Sequence, residues 1–417
     1  MEIKRDYYLN KLIESKGNGL VKIITGIRRC GKSFLLFTLF KDYLLMSGVK
    51  EDHIIQLDFD VIENKKYRDS KVAFNYVNSM IIDNDRYYIL LDEIQLLSDF
   101  ESVLNSFMKR NNVDVYATGS NSHMLSSDIA TEFRGRSWQI HVYPFSYKEF
   151  KDAHPDYESD KAFDEYITYG GMPYLLNLGN ESDKVTYLNN LFNETYLKDI
   201  IDRNHLRANN SLRNIINVLC FSEGSLSNPH KIAETFKSTS DKNISENTIS
   251  NYIEYLKDAF LISEAKRYDI KGKGYISATS KFYFVDPGIR NAILGFRQVE
   301  PTHIMESMVY YELLRRECSV DVGVINTYYM NKEDKKQRIS YEVDFICNQG
   351  SKRTYIQSAF AIHTEEKMGQ EKRSLRKIND NFKKVIITKG RMSPRYDDEG
   401  ILHVGLYDFL EGADVLN

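Results

Sequence analysis

Eight consecutive residues near the start of the chain could hold the phosphates of a nucleotide. They follow the pattern GxxxxGK(S/T) and read Gly26, Ile27, Arg28, Arg29, Cys30, Gly31, Lys32 and Ser33. The glycines let the backbone turn its N–H groups toward a phosphate, and the lysine can reach the outer phosphates of a nucleoside triphosphate. The serine hydroxyl is a ligand for the accompanying Mg²⁺. We predict that these residues, together with Phe34, bind ATP and Mg²⁺.

A pair of acids forms the second motif. Asp92 and Glu93 follow the apolar run at residues 87–91. A strand-end aspartate beside a phosphate loop can help to hold Mg²⁺, and a following glutamate can orient and deprotonate the attacking water. We therefore assign Asp92, with Ser33, to the metal and Glu93 to catalysis. A capped strand end without a chemical role is the alternative.

Short polar side chains and two arginines complete the candidate set. Ser120 and Asn121 follow the next apolar run, and either could touch the γ-phosphate or the attacking water. A helix N-cap is the alternative. Arg134 and Arg136 precede a further apolar run, where a guanidinium could act on the ATP of a neighbouring subunit. For these arginines the alternative is a surface ion pair.

The elements that must position these residues alternate between strand and helix. An apolar run at residues 20–24 precedes the phosphate loop, and a helical segment begins at its lysine. Further strand-like and helix-like runs follow in turn up to residue 145. This alternation predicts an α/β fold with a parallel sheet, whose carboxyl edge carries the phosphate chemistry.

Five strings in this order resemble a known family. They read GIRRCGKS, LLDEIQ, TGSNSHML, FRGRSWQIHVYPFSYKEF and YGGMP. Together they resemble the prokaryotic AAA-type ATPases that carry a C-terminal domain of unknown function, over essentially the whole chain. The resemblance implies an AAA+-like core with five parallel strands, ATP as the ligand, and assembly into a homo-oligomer. It also implies that Arg134 or Arg136 acts in trans.

We expect four domains. Residues 1–145 form the ATP-binding core and residues 146–205 a helical lid. Residues 206–300 resemble a winged helix, with three helices and a basic hairpin. Residues 301–417 form a nuclease-like α/β domain. In the winged helix, Asn247, Ser250 and Asn251 would face double-stranded DNA. A protein-interaction module is the alternative for this region.

The C-terminal domain follows the order of a PD-(D/E)xK nuclease with its catalytic set incomplete. Glu306 falls on a helix and Asp344 on a strand, as that order requires. Gln357 and Ala359 stand where the second acid and the lysine of the motif belong. Because a metal-dependent site then lacks an anion and a cation, we expect this domain to be catalytically inactive.

Composition sets the remaining limits. The chain has 417 residues, a net charge of −3 and 42% hydrophobic residues, which is the composition of a globular protein without an overall nucleic-acid charge signature. Its four cysteines are widely spaced and no apolar run is long enough to span a membrane. We expect a cytoplasmic, soluble protein without a membrane partner.

The function predicted from these observations is Mg²⁺-dependent ATP hydrolysis coupled to domain movement, with DNA considered as a partner. The first alternative is a slow nucleotide-gated switch or assembly scaffold. The second is an ATP-regulated nuclease.

Overall fold

The computed structural model describes residues 4–121, 135–206, 210–238, 244–297, 299–330, 336–360, 362 and 364–416. The chain divides into two compact units. The first comprises Met1–Pro144 and Asp258–Phe260, and the second comprises Phe145–Lys257 and Leu261–Asn417.

A five-stranded parallel sheet forms the centre of the first unit. Its strands are β1 (Val21–Thr25), β2 (Ile54–Asp58), β3 (Tyr87–Asp92), β4 (Val113–Gly119) and β5 (Ser137–His141). Their order in the sheet is β2-β3-β4-β1-β5, and all neighbours are parallel. The predicted parallel α/β core is therefore confirmed.

The strand order decides which loops meet. Since β4 lies between β1 and β3, residues at its carboxyl end can reach both the phosphate loop after β1 and the acids at the end of β3. β1 and β3 are buried along their full length, which explains why they appear in the sequence as continuous apolar runs.

Helices cover the sheet of the first unit. The α-helical segments are Asp6–Glu14, Lys32–Phe34, Lys41–Met46, Ser70–Met80 and Phe100–Phe107, with a π-helical segment at Leu35–Phe40 and short 3₁₀ turns at Glu51–His53, Ile62–Arg68 and Ile94–Leu96. One hydrophobic core includes Ala73 and Val77 of one helix, Leu104 and Phe107 of another, and Ile89 of β3. This packing fixes β3, and so the acids that follow it.

The second unit contains the remaining helices and an eight-stranded mixed sheet. The α-helices are Tyr147–Asp152, Ser159–Tyr169, Glu181–Asn190, Lys198–Arg203, Asn210–Phe221, Pro229–Ser238, Glu246–Asp258, Pro287–Ile293, Pro301–Arg315, Glu365–Leu375 and Leu406–Leu410, with Pro173–Asn177 in a 3₁₀ helix and Leu191–Leu197 in a π-helix. The strands are β6 (Ile262–Asp269), β7 (Gly274–Phe284), β8 (Ser319–Met330), β9 (Lys336–Gln349), β10 (Lys352–Ala359), β11 (Lys383–Thr388), β12 (Arg395–Tyr396) and β13 (Leu402–Gly405). Within the described ranges, no helix combines the length and the apolar character needed to cross a membrane.

The basic hairpin assigned to the winged helix belongs to this eight-stranded sheet. Its strands β6 and β7 are antiparallel, and β6 also pairs in parallel with β8 from Arg267↔Val322 to Asp269↔Val324. Strands from both sides of residue 300, where the sequence predicts a domain boundary, therefore belong to one sheet. The winged-helix and nuclease-like assignments, and the division into four domains, stay predictions.

The diglycine at residues 170–171 forms a packed corner. A Cβ on Gly170 would lie 2.0 Å from Oδ1 of Asp286, and the backbone N–H of Gly171 donates to Oδ2 of the same carboxylate at 2.6 Å. Asn291 donates to the carbonyl of Ile167 at 2.7 Å. The helix that ends at Tyr169 is therefore tied to the segment that begins at Asp286.

Candidate nucleotide site

The phosphate loop leaves β1 through a turn that requires glycine. Gly26 has φ +146°, and a Cβ built on it would lie 2.1 Å from the carbonyl oxygen of Val142. Gly31, with φ +98°, stands immediately before the helix that begins at Lys32. The loop can follow this course only because both positions lack a side chain.

Lys32 lies over the loop that precedes it. Its Nζ donates to the carbonyl oxygens of Gly26 at 3.0 Å and of Ile27 at 3.1 Å, and the residue is 4% exposed. These acceptors are neutral, so an anionic phosphate oxygen would attract the ammonium group more strongly.

The two predicted metal ligands are in contact. The hydroxyl of Ser33 donates to Oδ2 of Asp92 at 2.7 Å, and the hydroxyl of Thr118 donates to Oδ1 at 2.5 Å. Asp92 is buried, and this burial raises the pKa of its carboxyl, while the two hydroxyl donors act in the opposite direction. The donors thus favour the ionised carboxylate that a metal requires.

Glu93 adopts a left-handed backbone conformation, with φ +50° and ψ +50°. Its N–H donates to the Thr118 hydroxyl at 3.0 Å, so one threonine holds both acids. Its carboxylate accepts hydrogen bonds from the hydroxyl of Ser120 at 3.0 Å and from the amide of Gln95. A strained non-glycine residue held in place by its neighbours is typical of a functional position.

Ser120 connects Glu93 to the phosphate loop. Nε of Arg28 donates to the Ser120 hydroxyl at 3.4 Å. Ser120 is 2% exposed and Asn121, beside it, is 8% exposed. The hydrogen bonds of Ser120 to Glu93 and Arg28 place this predicted residue in the site.

Other loop residues have different surroundings. Cys30 is buried with its thiol 3.3 Å from the carbonyl of Val142, and burial raises the pKa of that thiol. Ile27 is also buried, whereas Arg29 and Phe34 are exposed. Cys30 and Ile27 therefore hold the loop against the interior of the first unit.

Of the two candidate arginines, the structure describes only Arg136, and it does not lie at this site. Arg134 lies outside the described residues. Arg136 is exposed, and its carbonyl accepts a hydrogen bond from the N–H of Val21 at 3.1 Å, at the amino edge of the sheet. The phosphate loop leaves the carboxyl edge, about 16 Å away along the five residues of β1. Any contact of Arg136 with ATP must therefore involve the ATP of another chain.

Sequence reasoning missed Thr118 and Gln95. Thr118 lies on β4 and Ser120 just after its end, two positions later, so the alternation of side chains along the strand could have indicated Thr118. Gln95 follows Glu93 by two positions in a 3₁₀ turn, and no spacing rule selects it.

The acids of the nuclease-like region surround a lysine that the sequence did not indicate. Nζ of Lys281, on β7, lies 2.8 Å from carboxylate oxygens of both Glu306 and Glu342. Asp344 accepts the N–H of Ser358 at 2.8 Å, and burial raises the pKa of Asp344 to about 8. Lys281 is 3% exposed, so its positive charge is shielded from water and compensates the negative charges of these acids.

Gln357 and Ala359 depart from the nuclease motif, and the neighbouring acids that the structure describes do not form a metal site in their place. Gln357 accepts a hydrogen bond from the Ser374 hydroxyl at 3.3 Å, and Ala359 is buried. In the described part of the chain, Glu306, Glu342 and Asp344 do not bring three ligand atoms within 4.8 Å of one another. Catalytic inactivity of this region stays a prediction.

The helix proposed to face DNA has a mixed surface. Asn247 and Asn251 are exposed on the helix Glu246–Asp258. Glu246 lies 2.8 Å from His230, and Glu254 pairs with Lys257 at 2.9 Å on the same helix. Acids on this surface oppose contact with phosphates.

A parallel sheet in this order, with a GxxxxGKS loop after β1 and an acidic pair at the end of β3, defines a P-loop nucleotide-binding protein. The AAA domain family matches residues 18–151, and a family described as a domain of unknown function, DUF8612, matches residues 160–300. The second match spans the predicted lid and winged-helix regions.

Two proteins of other organisms are similar to this chain over nearly its full length. An uncharacterised protein of Haemophilus influenzae is 35% identical over 414 residues, which is 98% of each chain. The protein MJ1544 of Methanocaldococcus jannaschii is 28% identical over 97% of this chain and 88% of its own length. Among solved structures, Orc1 of Aeropyrum pernix in complex with DNA has 11% identity and a TM-score of 0.28, and covers 71% of this chain and 93% of that chain. The chain therefore carries an AAA-type P-loop domain and belongs to one family with the Haemophilus protein, to which it is similar over 98% of its length.

Proposed function

We propose that this protein is a Mg²⁺-dependent ATPase. The observation that carries the proposal is the contact of Ser33 with Asp92 at 2.7 Å, beside a glutamate held by Thr118, Ser120 and Gln95. Phosphate loop, metal ligands and base thus converge at one edge of the sheet, as hydrolysis of a nucleoside triphosphate requires.

The residues present fit Mg²⁺. Ser33 and Asp92 offer hard oxygen atoms, which Mg²⁺ prefers, and their mutual hydrogen bond shows that both can reach one position. When bound, the ion would neutralise charge on the outer phosphates. Lys32 would exchange its two carbonyl acceptors for phosphate oxygens, and the N–H groups of the loop would hold the β-phosphate.

Glu93 would act as the general base. Its carboxylate takes a proton from water while the water oxygen attacks the γ-phosphorus, and the bond to the β–γ bridging oxygen breaks to release ADP and phosphate. Ser120 and Gln95 orient the carboxylate, and Arg28 links Ser120 to the loop that holds the phosphates.

One observation favours a slow nucleotide-gated switch as a second candidate. Ser120 and Gln95 both donate to Oε2 of Glu93, so this oxygen cannot take a proton from water while the two hydrogen bonds persist. A protein in which they persist with ATP bound would bind tightly and turn over slowly. The two candidates differ in the steady-state rate.

The test is ATP turnover and ATP binding in Glu93→Gln. Removal of a general base lowers the rate by about 10²–10⁴-fold, and binding should be retained because the loop is unchanged. Glu63→Gln is the matched control, since Glu63 is exposed in the same unit. Equal rates in Glu93→Gln and the native protein would reject the role of Glu93, and slow turnover in the native protein would favour the switch.

Assembly and DNA contact are further proposals. If Arg136 or Arg134 completes the site of a neighbouring chain, the rate per chain should rise with protein concentration and fall in Arg136→Ala or Arg134→Ala. If the region of residues 206–300 binds double-stranded DNA, added DNA should change the rate, and this effect should weaken with salt.

A further inference from the structure

A group of metal-ligand side chains lies at the sheet edge opposite to the phosphate loop. His53 precedes β2, and Asp83 and Asp85 lie in the turn before β3. One ligand atom from each of these residues lies within 4.8 Å of the other two. Since β3 separates them from Asp92, these residues are about 16–20 Å from the predicted Mg²⁺ ligands and do not belong to that site.

The imidazole of His53 is held in one orientation. Nδ1 lies 2.6 Å from Oδ1 of Asp52, and the ring stacks on Tyr87 with centroids 4.4 Å apart. His53 is 4% exposed. A carboxylate on one ring nitrogen fixes the hydrogen there and leaves the lone pair of the other nitrogen for a ligand, which is the arrangement around most metal-binding histidines.

The second ring nitrogen of His53, Nε2, faces oxygen atoms and lies within hydrogen-bond distance of Asp83. Nε2 lies 3.3 Å from Asp83 and 3.7 Å from Oδ2 of Asp85. With the hydrogen on Nδ1, all of these atoms are acceptors, so a cation must lie among them. It is either a proton on His53 or a metal ion.

The distances favour one of these two cations. A hydrogen bond between imidazolium and carboxylate is about 2.7–2.9 Å long. Two ligand atoms on a tetrahedral ion with bonds of about 2.0–2.2 Å lie about 3.3–3.6 Å apart. The separations of 3.3 and 3.7 Å match the metal better than the proton.

The turn that carries the two aspartates is fixed by further contacts. The N–H of Asp85 donates to Oδ1 of Asp83 at 2.9 Å, and the side chain of Asn112 donates to both of their carbonyls, at 3.3 and 3.2 Å. Both carboxylates are partly exposed, at 42% and 66%, which leaves room for water ligands. Lys50 lies 3.4 Å from Asp85 and competes with a cation.

We propose that His53, Asp83 and Asp85 bind one divalent transition-metal ion of the Zn²⁺ class, with Asp52 orienting the imidazole. One nitrogen and two carboxylate ligands with an open position suit Zn²⁺ better than Mg²⁺, which prefers oxygen ligands alone. The ion would join the starts of β2 and β3.

The experiment titrates untagged, chelator-treated, nucleotide-free protein with Zn²⁺ by calorimetry at about pH 8, where protons compete least. We expect one Zn²⁺ per chain and a higher unfolding temperature with Zn²⁺. Asp83→Asn and Asp85→Asn should each weaken binding at least tenfold. Asp60→Asn, an exposed control in the same unit, should bind as the native protein does, and Lys50→Ala should bind more tightly.

Two outcomes would overturn the proposal. One is the absence of binding at micromolar Zn²⁺, which would identify the cation as a proton. The other is binding that Asp83→Asn and Asp85→Asn leave unchanged, which would place the ion elsewhere. Neither result bears on ATP hydrolysis, since the titration is done without nucleotide.

Discussion

Replacement of Thr118 by valine tests the central geometry of the nucleotide site. The change keeps the shape of the side chain and removes the hydroxyl that donates to Asp92 and accepts from the N–H of Glu93. Thr118 is fully buried, so water cannot replace the lost partner. Hydrogen bonds to a charged group contribute about 1.5–3 kcal/mol, and a neutral one about 1 kcal/mol. We expect the free energy of unfolding at neutral pH to fall by about 2–4 kcal/mol.

The same substitution should change the pH dependence of ATP turnover. Burial already raises the pKa of Asp92, and the Thr118 hydroxyl is the first of the contacts that oppose this shift. Loss of about 1.5–3 kcal/mol from the ionised form corresponds to about one to two pKa units. The acidic limb of the activity profile should therefore move to higher pH by that amount. The part of the destabilisation that comes from Asp92 should fade at low pH, where Asp92 is protonated in both proteins.

Thr25→Val is the matched control for this prediction. Thr25 is buried at the end of β1, and its hydroxyl contacts Nδ1 of His141 at 2.9 Å without touching either acid. It should lose about 1 kcal/mol of stability and keep the acidic limb in place. The measurements are urea unfolding and ATP turnover against pH. An unshifted limb in Thr118→Val would show that Thr118 does not support the ionised Asp92.

Three further predictions concern groups outside this contact. Lys281→Met leaves the carboxylates of Glu306 and Glu342 without their buried partner. In urea titrations, the free energy of unfolding should fall by about 3–5 kcal/mol. A small loss would show that both acids find other partners. Asp344→Asn should gain stability relative to the native protein as pH rises from about 4 to about 8. In this range the Asp344 carboxyl of the folded protein, whose pKa is raised to about 8, holds a proton that the unfolded chain releases. A stability difference that does not change with pH would contradict this. Cys30 should react with iodoacetamide far more slowly in the folded than in the urea-unfolded protein, because it is buried and the pKa of its thiol is raised. Mass spectrometry measures both rates, and similar rates would argue against that burial.

The core of the first unit could be predicted from the sequence because its signals are local. The strands β1 and β3 are continuous apolar runs, and each ends in a motif whose chemistry demands the carboxyl edge of a parallel sheet. Contact between Ser33 and Asp92 then follows from the fold. The turn at Gly26, with φ +146°, follows for the same reason, since the GxxxxGKS pattern implies that backbone geometry.

The parts that escaped prediction depend on pairing between distant segments. The join of β6 to β8 has no signature in either strand, so the hairpin appeared to belong to a separate module. Lys281 reaches Glu306 and Glu342 across the sheet, and no spacing along the chain relates these three residues. Charge compensation of this kind becomes visible only when the strands have been ordered.

The join between β6 and β8 limits how this protein can be divided for experiments. A fragment that begins at residue 301 would keep β8 but lose β6, so the N–H and C=O groups that bond to Arg267–Asp269 would face solvent. β8 would stay paired with β9, but its other edge would be open, and an open strand edge offers a template to other molecules. We expect such a fragment to aggregate, and a fragment that begins at residue 261 to stay monodisperse in size-exclusion chromatography. Expression boundaries should therefore be placed before the hairpin.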